Sequence, residues 1–181
     1  MIEIICNEEN SDKSKQVTRG AAIRRPKNIK QIGEVSSDKK IYIEDYAFTY
    51  INSIAYNNPS DSQAGVLLGE NQTVFIKGII KAKLGTEVEE KGVYFNESVW
   101  NGIYSDVEKY FPDLSVVGWF AAIPEVTPER MMKLKKIHLD NFAGTMKTFY
   151  LIDTVEKEEN LYLYENGELK KQKGYVCFYE R

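Results

Sequence analysis

The sequence is poor in the side chains that most metal and nucleophilic sites require. Its 181 residues include one histidine, His138, and two cysteines, Cys6 and Cys177. One imidazole cannot by itself build the multi-histidine sites of zinc enzymes. The cysteines lie at opposite ends of the chain and show no C-x-x-C spacing, so they predict reduced, largely buried thiols and not a disulfide framework. We therefore expect no metal and no cofactor.

Long apolar runs are also missing. No stretch of about 18 apolar residues occurs, which predicts that the chain does not span a membrane. The first ten residues lack the basic segment followed by an apolar segment that marks a secretory signal. Together these absences predict a cytoplasmic protein.

The charge is nearly balanced, with 24 basic and 27 acidic side chains and a net charge of −3. This balance argues against a strongly basic nucleic-acid binder. Hydrophobic residues make up 43% of the chain, which is enough for a hydrophobic core at this length.

A basic segment precedes the acidic main part of the chain. Residues 11–40 hold nine basic and three acidic side chains, whereas residues 41–181 carry a net charge of −6. We predict that residues 1–40 form a basic extended N-terminal arm and that residues 41–181 form the domain. The arm either lies along the acidic domain or docks to an acidic partner; nucleic acid is disfavoured because the domain would repel phosphate. Its candidate contacts are Arg24, Arg25 and Lys27.

Hydrophobic periodicity predicts alternating helices and strands beyond residue 40. Asp45 is a candidate cap for the first helix, Thr127 and Pro128 form a helix start, and Asn166-Gly167 indicates a type I′ hairpin. The predicted helices are 45–57, 98–111 and 128–141. A short strand is predicted at 41–43, a hairpin of two strands over 160–172, and single strands at 63–70, 73–83, 115–122, 148–155 and 174–180. This order predicts an α+β fold with layers of the α/β kind, in which helices flank a curved mixed sheet.

Three of these segments resemble the MPN (JAB/JAMM) domain. AGVLLGE at 64–70 is similar to the family's Gly-x-Leu-x-Gly strand, and VVGWFAAIP at 116–124 to the strand that reads (I/V)-V-G-W-Y-H-(S/T)-H-P in active members. TFYLIDTV at 148–155 lies where the family has an apolar strand that ends in Asp-Pro. The resemblance covers roughly residues 41–181 and extends to a group of bacterial MPN-like proteins. It implies a curved mixed sheet flanked by helices, found both in zinc isopeptidases and in their metal-free relatives.

The resemblance also implies that the zinc chemistry is lost. Active members hold Zn²⁺ with two imidazoles and a carboxylate, and an upstream Glu acts as general base. With Pro124 setting the register, the positions of the two imidazoles, the motif serine, the carboxylate and the base fall in turn on Ala121, Ile123, Met131, Leu134 and Ser62. Ala, Ile and Leu have no lone pair for a metal, so these are degenerate former metal-site positions.

The remaining reactive groups favour structural roles. His138 lies four residues beyond Leu134 and is expected to be a surface or half-buried helix histidine. Cys177 alternates within GYVCFYE and is expected to pack. The carboxylates of Asp153, Glu156 and Glu158–159 surround a turn, which predicts a solvated loop, with a weak cation site as the alternative.

Tyrosine is abundant, with 12 residues. Tyr162 and Tyr164 should share one face of a strand, as should Tyr175, Cys177 and Tyr179. Most of these tyrosines are expected in the core, whereas exposed ones would indicate a protein interface.

We therefore expect a catalytically inactive MPN-like module that binds or scaffolds proteins, with another protein or a second copy of the chain as partner and without nucleic acid or membrane. Besides the arm, Trp119, Phe120 and Pro124 are candidate contacts. Two alternatives stay open: a metal-dependent peptidase or isopeptidase with a different ligand set, and a sensor that binds a peptide or small molecule in the former active-site groove.

Overall fold

The computed structural model describes residues 2–6, 28–35, 40–70, 75–84, 92–142, 144 and 147–179. The described ranges contain ten strands and three helices. In chain order these are β1 (Ile2–Cys6), β2 (Asn28–Gly33), β3 (Tyr42–Glu44), α1 (Asp45–Asn57), β4 (Gln63–Gly69), β5 (Phe75–Lys81), α2 (Glu97–Tyr110), β6 (Ser115–Ile123), α3 (Pro128–Asn141), β7 (Thr148–Asp153), β8 (Glu158–Glu165), β9 (Glu168–Lys171) and β10 (Gly174–Tyr179).

All ten strands form one mixed sheet in the order β1-β2-β10-β3-β5-β4-β6-β7-β8-β9. The pairs β10–β3, β3–β5 and β6–β7 are parallel, and the other neighbours are antiparallel. Helices flank this sheet, which confirms the predicted α+β class.

The sheet is strongly curled. Tyr150 on β7 and Tyr175 on β10 lie five strands apart in the sheet order, a separation of about 24 Å in a flat sheet. Their hydroxyl oxygens are nevertheless only 3.3 Å apart. Side chains from distant strands therefore meet on the concave side.

Two hydrophobic clusters cover the two faces of the sheet. The first, called the α1 face here, joins α1 to inward side chains of the strands, including Ile43, Leu67, Phe120, Tyr150 and Tyr175. The second, called the α2/α3 face, joins α2 and α3 to the alternate side chains, including Val66, Trp119, Ala121, Ile123 and Phe149. Successive strand residues point to opposite faces, so Trp119 and Phe120 belong to different clusters.

The local signals account for most of the element boundaries. The helices α1 and α3 have the predicted bounds, and α2 begins and ends one residue earlier than predicted. The Thr127 hydroxyl caps α3 by accepting the Arg130 N–H, and Pro128 is the first helical residue. Asn166 and Gly167 both have positive φ, 51° and 80°, as a type I′ turn requires.

Two expectations differ from the structure. The N-cap position of α1 falls on Glu44, and Asp45 lies in the first turn, where its negative charge complements the helix dipole. Within the predicted N-terminal arm, the structure describes two strands of the sheet, since β1 pairs with β2 and β2 pairs with β10. The candidate contacts Arg24, Arg25 and Lys27 lie outside the described residues.

Candidate functional site

The three strings that carry the family resemblance lie on neighbouring strands. Residues 64–70, 116–124 and 148–155 contain β4, β6 and β7, and β6 is hydrogen-bonded to both of the others. Gly118 is required where β6 meets β7, because a Cβ there would lie 2.1 Å from the backbone oxygen of Thr148. The Val-Gly-Trp string therefore has a packing reason in this chain.

The positions at which the resemblance implies metal ligands come together, and they do so as apolar packing. Ala121 and Ile123 project from β6 into the same cluster as Leu134 of α3, and all three are buried. Met131 packs against this cluster and is half-buried. Ser62 is half-buried and immediately precedes β4, whose first residue pairs with Ala122.

These side chains do not provide a set of ligand atoms that could hold a metal ion. Ala121, Ile123 and Leu134 are hydrocarbon, Met131 offers a thioether and Ser62 a hydroxyl, and none of these is the Cys, His or carboxylate ligand that protein zinc sites use. Over the described ranges, no three His, Cys, Asp or Glu side chains are placed to hold a metal ion together. The spot where the resemblance implies a catalytic centre is part of the hydrophobic core.

His138 is the only histidine, and the expectation of a surface or half-buried side chain was wrong: its exposed fraction is 0%. Its Nδ1 accepts a hydrogen bond of 2.9 Å from the indole Nε1 of Trp119. Its Nε2 is buried without a hydrogen-bond partner among the described residues. Burial, with a smaller contribution from the positive charge of Lys147, lowers the pKa of His138 from 6.5 to about 4.

Aromatic rings enclose the imidazole. Tyr164 of β8 lies 4.9 Å from it, Phe142 lies 6.0 Å and Trp119 lies 6.4 Å, measured between ring centroids. His138 is thus held in an aromatic cage between α3 and the sheet, as a neutral side chain.

The prediction that Trp119 and Phe120 contact a partner is wrong, because both side chains are buried. Trp119 and Phe120 both have an exposed fraction of 0%, so they fill the cores on opposite faces of the sheet and form no contact surface. Their alternation on β6 sends each ring into a different cluster. Pro124, just beyond β6, is half-buried.

Asp153 ends β7 and is structural. Its carboxylate accepts four backbone N–H bonds, from Glu125, Val126, Val155 and Glu156. Burial would raise the pKa of Asp153, but these donors outweigh it and hold the pKa below its usual value. The side chain, only 8% exposed, therefore fastens the segment before α3 to the turn after β7, and it is not part of a solvated loop.

Glu159 was assigned to the same loop, but it faces into the concave side of the sheet. One carboxylate oxygen accepts the Tyr175 hydroxyl at 2.6 Å, and the other accepts the Tyr150 hydroxyl. Burial is the main cause that raises the pKa of both tyrosines, so both phenols stay protonated donors. This polar cluster ties β7 and β8 to β10 across the curled sheet.

One sequence signal could have indicated the cluster. Glu159 alternates with Leu161 and Leu163, which are buried on the α1 face, so the period-2 pattern of β8 places a carboxylate on an apolar face. A carboxylate that is partly withdrawn from water requires hydrogen-bond donors. The donors come from two other strands, Tyr150 from the neighbouring β7 and Tyr175 from β10, which lies far away in the sheet order.

The other reactive or aromatic side chains behave mostly as expected. Cys177 is a free, buried thiol, and burial is the main cause that raises its pKa to about 12, so it is not a nucleophile at neutral pH. Tyr162 and Tyr164 lie on the α2/α3 face, with Tyr162 in its cluster and Tyr164 against His138. Tyr175 and Cys177 are buried together on the α1 face.

An exposed surface of α1 combines tyrosine with an absence of charge. Its six exposed side chains are Tyr46, Thr49, Tyr50, Ser53, Tyr56 and Asn57. Tyr46 is 57% exposed, Tyr50 is 41% exposed, and their rings are stacked with centroids 6.1 Å apart. Protein interfaces are enriched in tyrosine and depleted in charged residues at their centre. We call these six side chains the tyrosine surface.

Comparisons with known proteins support the fold alone. No protein-family model matches the chain, and no curated protein matches its sequence. Among solved structures, the solution structure of protein DSY2949 from Desulfitobacterium hafniense, a structural-genomics target, is similar to this chain with a TM-score of 0.52. Sequence identity is 10%, and the match covers 77% of this chain and 92% of that chain. The described helices have 13 or 14 residues, and none has the length and apolar character needed to cross a bilayer.

Proposed function

We propose that this chain is a catalytically inactive, MPN-like module that binds proteins in the cytoplasm. The observation that carries the proposal is the packing of Ala121, Ile123 and Leu134 into one buried cluster. The family resemblance implies metal ligands at these positions, and hydrolysis there would need an ion and a water molecule. The cluster offers instead close-packed hydrocarbon, which stabilises the fold and excludes both.

The proposed contact region is the tyrosine surface, and the proposed occupant is the same surface of a second copy. Its exposed side chains carry no charge, so two copies related by a two-fold axis meet there without like charges facing each other. Tyrosine contributes a large contact area at a small cost in side-chain entropy, and the adjoining hydroxyl and amide groups supply hydrogen bonds. A scaffold built this way uses the face of the molecule remote from the former metal site.

The oligomeric state tests the contact region. Light scattering after size exclusion should give twice the chain mass of 20.8 kDa at high concentration. Tyr46→Ser should weaken the dimer by about tenfold or more, because exposed tyrosines are frequent energetic centres of interfaces. Tyr110→Ser is the matched control, since Tyr110 is 60% exposed on α2 and should not affect the dimer. A chain that stays monomeric at all concentrations, or equal effects of the two variants, would contradict the proposed interface.

Metal analysis and peptidase assays test the inactivity separately. Purified protein should carry no stoichiometric zinc, and a chelator should change neither its stability nor any activity. A tightly held transition metal beside Ala121 and Leu134, or turnover that a chelator abolishes, would contradict the proposed inactivity and indicate a metal-dependent enzyme.

A further inference from the structure

The hydrogen bond between Trp119 and His138 fixes which proton the imidazole carries. The indole N–H can only donate, so His138 Nδ1 must be the unprotonated nitrogen that accepts it. The neutral ring therefore carries its hydrogen on Nε2, the atom that has no partner among the described residues. Any further proton must add to Nδ1, the atom that accepts the bond.

Protonation consequently has two costs at this position. It places an N–H donor against the Trp119 N–H donor, which breaks the only side-chain hydrogen bond that the structure gives His138. It also places a positive charge on a side chain that is 0% exposed. A charge taken out of water without a partner is strongly disfavoured.

The groups around the ring offer no compensation. Trp119 faces it from β6, Tyr164 from β8 and Phe142 from the end of α3, and none of these side chains is a carboxylate. Lys147, which precedes β7, acts on the ring with a like charge while its Nζ donates to the Val116 carbonyl oxygen. On α3 itself, the charged neighbours Lys135 and Asp140 are exposed. The C-terminal end of the helix dipole favours a cation here by at most about 2 kcal/mol.

We propose that His138 is an acid-sensitive latch that holds the C-terminal half of α3 on the sheet when it is neutral and releases it when it is protonated. The latch is a regulatory device of the fold, and it stands independently of the proposed dimer.

The two ends of α3 are held by different chemistry, which gives the opening a direction. At the N-terminal end, Thr127 caps the helix, and Asp153 binds the backbone of Glu125 and Val126 just before it. Neither attachment depends on His138. At the C-terminal end, His138 and the buried Phe142 are anchors, and the Phe142 N–H donates to the His138 carbonyl oxygen. Asn141 is a third anchor, because its side-chain oxygen accepts the Trp100 indole N–H at 3.1 Å. Of these three side chains, only that of His138 can take up a proton. Acid should therefore loosen residues 134–142 before residues 128–133.

The pH range follows from the two states of the ring. In the open state the imidazole is in water and its pKa is about 6.5, whereas in the closed state its pKa is about 4. The open state binds the proton more tightly, so the closed state is fully favoured above about pH 6.5 and loses this advantage as the pH falls towards 4. Between about pH 7.5 and about pH 5, the equilibrium constant for opening should rise about 30-fold.

Hydrogen exchange followed by mass spectrometry on the full chain measures this constant, after correction for the intrinsic pH dependence of exchange. Peptides from residues 134–142 should show the 30-fold loss of protection, and peptides from residues 128–133 should show much less. In His138→Asn, the side-chain oxygen takes the place of Nδ1 as the acceptor for Trp119 but does not titrate, so the response between pH 7.5 and 5 should disappear. Lys135→Asn, which makes the same change on the exposed side of α3, should keep it.

A second measurement on the unmodified chain decides the question even if His138→Asn does not fold. Because the chain has one histidine, the imidazole signals in its NMR spectrum belong to His138 without further assignment. They should stay in the neutral form well below pH 6.5 until α3 opens. Titration near pH 6.5 with unchanged protection of residues 134–142, or the same pH response in His138→Asn, would overturn the latch.

Discussion

The two faces of the sheet treat buried polar groups in opposite ways. On the α1 face, Glu159, Tyr150 and Tyr175 form a closed set of hydrogen bonds in which each carboxylate oxygen accepts one phenol. On the α2/α3 face, the cluster around Leu134 is hydrocarbon and aromatic, and His138 keeps a buried Nε2 that has no partner among the described residues. The first face holds a satisfied network, whereas the second surrounds His138 with an apolar core.

The two faces therefore contribute differently to the fold: the first closes the curled sheet, and the second packs α2 and α3 against it. A satisfied buried network stabilises one arrangement of strands, and here it joins β7 and β8 to β10 across the concave side. An apolar core that surrounds one titratable ring tolerates no new charge. Adding a charge to the second face and removing one from the first should therefore lower the free energy of unfolding by different amounts.

The largest effect is expected from a carboxylate placed where the resemblance implies one. Leu134→Asp removes a buried leucine and introduces an unpaired charge into the α2/α3 face, which should lower the free energy of unfolding by about 4 kcal/mol or more. Urea unfolding measures the loss. Lys133→Asp introduces the same side chain one position earlier on the exposed side of α3 and should cost far less. If zinc restored the stability of Leu134→Asp, a latent metal site would exist and the contrast between the faces would fail.

On the α1 face, the informative change removes a charge without changing the shape. Glu159→Gln keeps one acceptor oxygen but presents an amide donor to the second phenol, so one buried hydroxyl loses its acceptor. The expected loss is about 2 kcal/mol in the free energy of unfolding. Glu158→Gln is the matched control because Glu158 is the preceding residue and is exposed. Equal stability of the two variants would mean that the network does not hold the curled sheet together.

Local sequence signals were sufficient to predict the helices and strands beyond residue 40 and the apolar character of Ala121, Ile123 and Leu134. Thr127-Pro128 and Asn166-Gly167 set backbone geometry through their own atoms, so α3 and the β8–β9 turn could be placed without knowledge of the rest of the chain. Ala121, Ile123 and Leu134 carry no metal-donor atoms, which follows from the residue types once the resemblance is aligned on Pro124.

Contacts between strands that the curl of the sheet brings together could not be predicted from local sequence. Tyr175 meets Glu159 because the strands between them curl, a property of the whole sheet that no window of sequence contains. His138 follows Leu134 by four residues, so the helical period does place it on the buried side of α3. Full burial was missed because three of the five preceding residues, Lys133, Lys135 and Lys136, are charged, and only the packing of Tyr164 and Phe142 closes the cage.

The smallest effect is expected at Asp153, the last residue of β7. Its carboxylate is buried and charged, and its hydrogen-bond donors are all backbone N–H groups. Asp153→Asn replaces one acceptor oxygen with an amide group that cannot accept, so at least one of the four N–H bonds is lost, at a cost of about 1.5 kcal/mol at neutral pH.

The pH dependence of that loss distinguishes Asp153 from His138. Because the pKa of Asp153 is lowered in the folded state, its contribution is complete above the unfolded value of about 3.9 and declines as the pH falls below it. The difference in unfolding free energy between the parent chain and Asp153→Asn should therefore shrink in strong acid, below the range in which the imidazole acts. Asp140→Asn, on the exposed side of α3, should leave stability unchanged across the same range. A difference that stayed constant down to about pH 2 would show that the charge of Asp153 is irrelevant and that its shape alone holds the segment before α3.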